Sequence, residues 1–374
     1  SRQACDSFNM RNNDGDTALH WACRQGSIRV VKFLLECDEV DTDINARNRY
    51  GSTPFQSACE SNKVAVVKYL VESYQDLIDI NRPDAFGDTP FHKTCCQGCI
   101  DVIKYLVESN QANVGTNARN HSGRTPFHRV CEHGLLYSTL MQYLLKSDKA
   151  NIDINIQDRR GQTPFFDVCS TSFTSTFDRK NHMLQSLVDS HHANVDPSIQ
   201  DCRGNTPLHE TFRNDVCWFR PNSQMKFGHL FDHIRNDVVS QRNLDSIGGF
   251  SKGDVIDRLF VIAQPLIDVQ NKEGDTPLHL LRRRNCMALS KIREVIEFEG
   301  ADATIQNKNG DTALHTACRD KHLGLLELLV QHRDVAIDLN IKNKSGETVL
   351  DVATSRHRDG TCDRSVAFLK ERLP

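Results

Sequence analysis

A short element, Gly-x-Thr followed by Pro or Ala and then Leu or Phe, recurs along the 374 residues. It begins at Gly15, Gly51, Gly87, Gly123, Gly161, Gly204, Gly274 and Gly310, and once more at Gly346, where Val349 takes the Pro/Ala place. The spacings are 36, 36, 36, 38, 43, 70, 36 and 36. Self-similarity at such a period marks an array of small units, and a chain this long exceeds one ordinary core. Three residues before each Gly stands Asn or Asp: Asn12, Asn48, Asp84, Asn120, Asp158, Asp201, Asn271, Asn307 and Asn343. An Asx side chain bonds its own following backbone and Gly tolerates positive φ, so the pair dictates a tight turn. The Thr is placed to cap a helix whose first residue is Pro or Ala. That helix should end at Gly26, Asn62, Gly98 and Gly134 in the first four units, residues that accept a left-handed backbone. A second helix follows, with apolar stripes such as Val30, Val31, Leu34 and Leu35, or Val66, Val67, Leu70 and Val71. Neither helix is long enough to persist alone in water, so only stacking can stabilise them.

Six of these elements continue into His, as in Thr17-Ala18-Leu19-His20, Thr89-Pro90-Phe91-His92, Thr125-Pro126-Phe127-His128, Thr206-Pro207-Leu208-His209, Thr276-Pro277-Leu278-His279 and Thr312-Ala313-Leu314-His315. With them the chain resembles the ankyrin repeat family. Tetratricopeptide repeats have a similar length but carry Pro at the end of the unit. The resemblance implies an all-α solenoid of about nine helix-turn-helix repeats, starting near residues 12, 48, 84, 120, 158, 201, 271, 307 and 343, with β-hairpin fingers. Gln56, Phe166 and Asp351 replace the expected His. Each is expected to lose the hydrogen bond that the His makes to the next repeat in the family.

Between Gly204 and Gly274 lies about one repeat more than the period requires. Residues Val255–Ala263 read as the second helix of the repeat begun at Gly204, which favours an insertion over roughly 214–253, with a degenerate extra repeat as the alternative. Inside it, Phe227, Leu230, Phe231, Ile234 and Val238 trace one helical face, and Trp218, Phe219 and Phe250 add aromatic surface. This face either covers the stack or docks a partner, with Trp218, Phe219, Phe227 and Phe231 as the docking residues.

Several constellations invite a chemical reading and fall short of one. His229 and His233 sit one turn apart with Asp237 beyond, yet no Glu follows the first His as a zincin requires. Cys96 and Cys99 have redox spacing, but Gly98 between them is the interhelix turn, and no second such pair completes four metal ligands. The repeated histidines have no repeated nucleophile beside them. Phosphate loops, dinucleotide fingerprints and nucleophile elbows are absent from the sequence. Arg282-Arg283-Arg284 is a short basic run, and its first member replaces a Cys that recurs at Cys23, Cys59, Cys95, Cys131, Cys169 and Cys318. Six of the 14 Cys thus occupy one repeat position, about 8–10 Å apart in stacked helices. That is too far for disulfides, and it implies a reducing, intracellular setting.

The 46 Lys and Arg nearly balance 49 Asp and Glu, which gives no overall field for nucleic acid. No apolar run is long enough to cross a bilayer. The expectation is a non-enzymatic module with no cofactor, no metal and no small-molecule substrate, binding a protein or peptide on its concave finger and inner-helix face. The family resemblance equally permits the cytosolic regulatory part of a membrane protein such as a channel. The fingers are rich in Arg, and Tyr50 and Phe86 stand at adjacent tips where polar residues are usual. Exposed aromatics beside Arg have the composition of interface hot spots. The candidate site is therefore Arg47, Arg49, Tyr50, Phe86, Arg119, Arg159 and Arg160.

Overall fold

The computed structural model describes residues 10–37, 42–133, 138–170, 195–213, 266–281, 301–332, 335–355 and 364–371, with Leu289, Arg293 and Ile296. These fall into two compact units, Ser1–Arg159 and Arg160–Pro374.

Each finger closes by a side chain. At the second finger the Asn48 Oδ1 accepts the N–H groups of Tyr50 (3.0 Å) and Ser52 (2.9 Å). Gly51 N–H donates to the Asn48 carbonyl at 2.9 Å, and Asn48 N–H to the Ser52 carbonyl at 3.0 Å. Four bonds within five residues leave no room for a strand ladder. The fingers are accordingly paired turns and not the β-hairpins expected. The strands among the described residues, β1 (Ala301–Asp302) and β2 (Val335–Ala336), lie on the approaches to two fingers and pair in parallel across neighbouring repeats.

In the first unit the repeats supply helix pairs α1 (Ala18–Gln25) and α2 (Ile28–Glu36), α3 (Pro54–Glu60) and α4 (Val64–Tyr74), α5 (Pro90–Gln97) and α6 (Ile100–Glu108), α7 (Pro126–His133) and α8 (Ser138–Lys146). The caps are those the sequence asks for: Thr53 and Thr89 accept the N–H three residues on. Gly26, Asn62 and Gly98 take the left-handed conformation at φ +76°, +54° and +67°; residue 134 lies outside the described residues. First helices stack on first helices, α1 on α3, α3 on α5 and α5 on α7, with α2, α4 and α6 packed behind. The core they share is periodic. Leu19, Phe55, Phe91 and Phe127 are buried at one position, and Cys23, Cys59, Cys95 and Cys131 at another. Burying such an apolar side chain contributes about 1.5–3 kcal/mol. All the described cysteines are free thiols, and burial pushes the Cys23 thiol up to about 12, far from nucleophilic use.

A second tie runs along the back. Tyr69 on α4 sits on the Lys32 and Glu36 of α2: the Lys32 ammonium lies 5.0 Å from the ring centre, and the hydroxyl donates to Glu36 at 2.7 Å. Tyr143 on α8 repeats this on Lys104 (5.7 Å) and Glu108 (3.1 Å) of α6. Tyr69 and Tyr143 are thus inter-repeat clasps, whereas the hydroxyl of Tyr105, at the same position between them, reaches no Glu. Tyr69→Phe keeps the ring and loses the hydrogen bond. It is expected to cost about 0.5–1.5 kcal/mol in urea unfolding, and an unchanged midpoint would remove the clasp from the list of stabilising contacts.

The repeat histidine carries the third tie. His20 Nδ1 accepts from the Thr17 N–H, and its Nε2–H donates to the Ser52 carbonyl of the next repeat at 3.0 Å. His92 does the same with Thr89 and the Arg124 carbonyl. The expectation that Gln56 breaks this chain is wrong. Its Oε1 accepts from Thr53 N–H at 2.9 Å and its Nε2 donates to the Asp88 carbonyl at 2.9 Å. A carboxamide holds an acceptor and a donor, as a neutral imidazole does.

In the second unit α9 (Pro164–Ser170) packs on α10 (Pro207–Arg213), and α10 on a 3₁₀ turn, Pro277–Leu280. That turn packs on α11 (Ala313–Arg319), which meets α12 (Leu323–Gln331) and α13 (Val349–Ser355). A last helix, α14 (Arg364–Lys370), covers α12 and α13 with buried Val366 and Leu369. His209 Nε2 reaches the Asp275 carbonyl, 66 residues on, at 3.0 Å, where other repeats make the same bond across 32. Lys272 N–H likewise donates to the Arg203 carbonyl at 2.9 Å. The fingers at Gly204 and Gly274 are therefore direct neighbours despite their long separation in sequence. Residues 214–253, with Trp218, Phe219, Phe227, Phe231 and the His229/His233 pair, and the Arg282–Arg284 run lie outside the described residues. The other two departures from His do lose the onward bond. Phe166 is buried with no polar atom to offer, and the Thr163 hydroxyl is left without a partner among the described residues. Asp351 accepts from the Thr348 N–H (2.9 Å) and hydroxyl (2.7 Å), but a carboxylate has no donor to pass on.

Candidate functional site

Adjacent fingers are zipped by their backbones. The residue before each Gly offers its carbonyl to the N–H two places before the next Gly: Asp14 to Arg49, Tyr50 to Ala85, Phe86 to His121 and Ser122 to Arg159, all at 2.9–3.0 Å. Side chains on this register form two parallel rows along the first unit. One runs Arg49, Ala85, His121, Arg159, and the other Asp14, Tyr50, Phe86, Ser122.

The arginines expected at the site divide into two classes. Arg47 and Arg119, four residues before their glycines, are straps. Arg47 Nε donates to its own Gly51 carbonyl at 3.1 Å and Nη2 to the Pro83 carbonyl of the next finger at 3.4 Å. Arg119 donates to Gly123 (3.2 Å) and Gln157 (2.8 Å) in the same way. Arg11 bonds Gly15 and Arg47, and in the second unit Gln270 bonds Gly274 and Gln306 while Gln306 bonds Gly310 and Lys342. What this position needs is a forked N–H donor; Gln serves there as well as Arg. By contrast, the guanidiniums of Arg49 and Arg159 make no hydrogen bond or ion pair among the described residues, and both side chains are exposed. Arg160 is exposed in the second unit, where its carbonyl accepts from Cys202 N–H at 2.7 Å.

The acids that follow the glycines face inward. Asp16 accepts from Asn48 Nδ2 at 2.8 Å and pairs with Arg24 at 2.7 Å; Asp88 accepts from Asn120 at 2.7 Å and pairs with Arg129 at 3.2 Å. Asp311 in the second unit repeats this with Asn343 and Arg319. These carboxylates are buried, so their charge is spent inside the ladder and the free cations stand outside it. Tyr50 and Phe86 are 53% and 58% exposed on their neighbouring tips. The Lys93 ammonium lies 5.8 Å from the centre of the Phe86 ring and is held by Asp84 at 2.8 Å.

Sequence reasoning missed three exposed apolar residues on the first helix pair, Trp21, Val30 and Phe33. Their residue types fit the apolar stripe, so only solvent exposure sets them apart. The Cys96/Cys99 pair has no reactive poise: burial raises both thiols, Cys99 to about 11, and Cys99 Sγ–H donates to the Glu60 carbonyl at 3.4 Å. Among the described residues no group of three or more His, Cys, Asp or Glu could hold a metal ion. No helix among them is long and apolar enough to cross a membrane.

No curated protein matches the chain. The family model for ankyrin repeats in three copies matches residues 3–84, 75–158 and 285–363, more than half of the chain. With Asx-Gly fingers, capped helix pairs and histidine ties all recurring in register, the chain belongs to the ankyrin repeat family.

Proposed function

We propose that this protein is a non-enzymatic adaptor whose first unit grips an extended protein segment along its finger tips. Ankyrin repeats are generally protein–protein interaction modules, and one observation points to the place: two exposed aromatic rings, Tyr50 and Phe86, on hydrogen-bonded neighbouring tips beside the uncommitted cation of Arg49. Large rings give contact area at little entropic cost, and an Arg free of framework bonds can be desolvated against a carboxylate. The small Ala85 between Arg49 and His121 leaves a gap in the cationic row for a side chain of the partner. The segment recognised carries acidic residues spaced around an aromatic or branched aliphatic one, with Arg159 extending the acidic preference along the row. Arg47 and Arg119 hold the fingers in place, and their contribution to recognition is indirect.

A displayed peptide library panned on the whole chain should return acidic sequences with a large apolar residue. Their affinity should fall more than about tenfold, the scale of losing a hot spot, in the Arg49→Ala/Tyr50→Ala/Phe86→Ala variant. Its melting temperature should hold, since exposed substitutions usually stay within about 0.5 kcal/mol. Selected peptides that bind this variant as tightly as the parent would place the binding face elsewhere.

A further inference from the structure

The straps of the second unit are neutral. Where Arg47 and Arg119 tie the fingers of the first unit, Gln270 and Gln306 make the equivalent bonds, and Gln200 donates to the Gln270 carbonyl at 3.2 Å. The acids that follow the glycines face inward, Asp275 to Asn307 at 2.8 Å and Asp311 to Asn343 and Arg319. What stands out on the tips is a ridge of lysines. Lys272, Lys308 and Lys344 occupy one position in consecutive fingers, with their N–H groups donated to the Arg203, Glu273 and Asn309 carbonyls at 2.9–3.0 Å. All three side chains are exposed, and their ammoniums make no hydrogen bond or ion pair among the described residues. Lys272 and Lys308 have a finger on either side, so their exposure belongs to the position and owes nothing to an end of the stack.

The ridge differs from the tips of the first unit in what it lacks. No exposed aromatic ring is found among the described residues of this unit, so neither a nucleic-acid base nor an apolar anchor has a platform on which to stack. A Lys ammonium is a compact charge with rotatable donors, and it takes a carboxylate without selecting its shape. Selection therefore falls on spacing. Neighbouring fingers step by about 8–10 Å, which three residues of extended chain span at about 3.3 Å each. One acid interrupts the strip. Glu273 is exposed on the tip next to Lys272, and its carbonyl is bonded to the Lys308 N–H. A continuous polyanion such as nucleic acid or an anionic lipid surface meets repulsion there, whereas a peptide avoids it by placing a neutral or basic residue at that point.

We infer that Lys272, Lys308 and Lys344 form a second binding surface, independent of the site proposed on the first unit, which holds an extended protein segment with Asp or Glu at every third residue. Each carboxylate pairs with one ammonium, and no large apolar residue is required.

The test pans a displayed peptide library on the whole chain carrying Arg49→Ala, Tyr50→Ala and Phe86→Ala, which disables the first-unit site. The selected peptides should carry acids three residues apart and share no aromatic residue. Their affinity should fall about tenfold when Lys272, Lys308 and Lys344 are all changed to Ala, the scale of three exposed ion pairs. It should vanish as salt rises to about 1 M, where the screening length is about 3 Å. Lys308→Glu should reject a peptide with an acid at the middle place and accept the one in which Lys replaces that acid, an exchange that a diffuse positive field does not give. Peptides indifferent to the triple Lys variant, acids without the three-residue spacing, or no enrichment of acidic peptides would overturn the proposal. So would displacement of the selected peptides by an equal concentration of a poly-dT strand or of phosphatidylserine vesicles. Failure of apolar-bearing peptides at the first-unit site leaves these results as they are, so the two readings fall separately.

Discussion

Lowering the pH from 7 towards 4 is expected to destabilise the protein by several kcal/mol, with most of the loss between pH 6.5 and 4. The histidine ties are the cause. In each, Nδ1 accepts a Thr N–H while Nε2–H donates to the next repeat, so both ring nitrogens are committed to the neutral form. Burial holds His20, His92, His209, His279 and His315 below the ordinary value of 6.5, and His209 falls to about 4. Below 6.5 the unfolded chain takes up protons that the folded chain refuses. Stability present above that pH is therefore lost as the pH falls towards the folded value. For His209 alone the full window is worth about 3 kcal/mol at 1.36 kcal/mol per unit. Asp268 works in the opposite direction, because burial raises its carboxyl to about 6, but it is one group against five. The repeat begun at Gly51 supplies the control. Gln56 makes both bonds without a titratable group, so His209→Gln should keep the tie and flatten the pH dependence. Denaturant melts at a series of pH values would show this, and a variant with the parental slope would rule His209 out as a source.

The second large effect is at a finger. Gly87 has φ +81°, and a Cβ added there would lie 2.5 Å from the backbone nitrogen of His121 in the next finger. Gly346 has nearly the same φ, +79°, with nothing within 4 Å. Gly346→Ala should therefore cost only the left-handed penalty, about 1–2 kcal/mol. Gly87→Ala adds a clash with backbone that can be relieved only by parting two fingers and the Phe86–His121 hydrogen bond with them. A further loss of about 2 kcal/mol or more is expected, on the scale of overpacking. Equal midpoints for the two variants would show that the fingers separate freely.

The same comparison shows how much of the stack was legible beforehand. The turn, cap and helix starts could be read residue by residue because their causes are local: an Asx side chain bonds backbone two and four places on, and Gly alone takes positive φ cheaply. The framework bonds of the straps were missed. Arg47 and Arg119 looked like a cationic surface, although Gln270 and Gln306 at the equivalent place were visible, and the donor group that Arg and Gln share is what both residues use. Gln56 was misread in the opposite sense, as a broken tie, because the family pattern records a residue name and the hydrogen bond depends only on an acceptor and a donor.

By itself the sequence determined the repeat, its register and the chemistry of each turn, since these rest on contacts within a few residues. Tertiary structure alone decided which of the similar side chains remain available. Arg49 and Arg47 differ by two positions, and one is free while the other is bonded to two fingers. Val30 and Val66 are the same residue at the same point of the period, yet among the described residues only Val66 is covered by a helix pair before it. Availability depends on what lies one repeat away, 32 or more residues distant in the chain, and a local pattern carries no record of it.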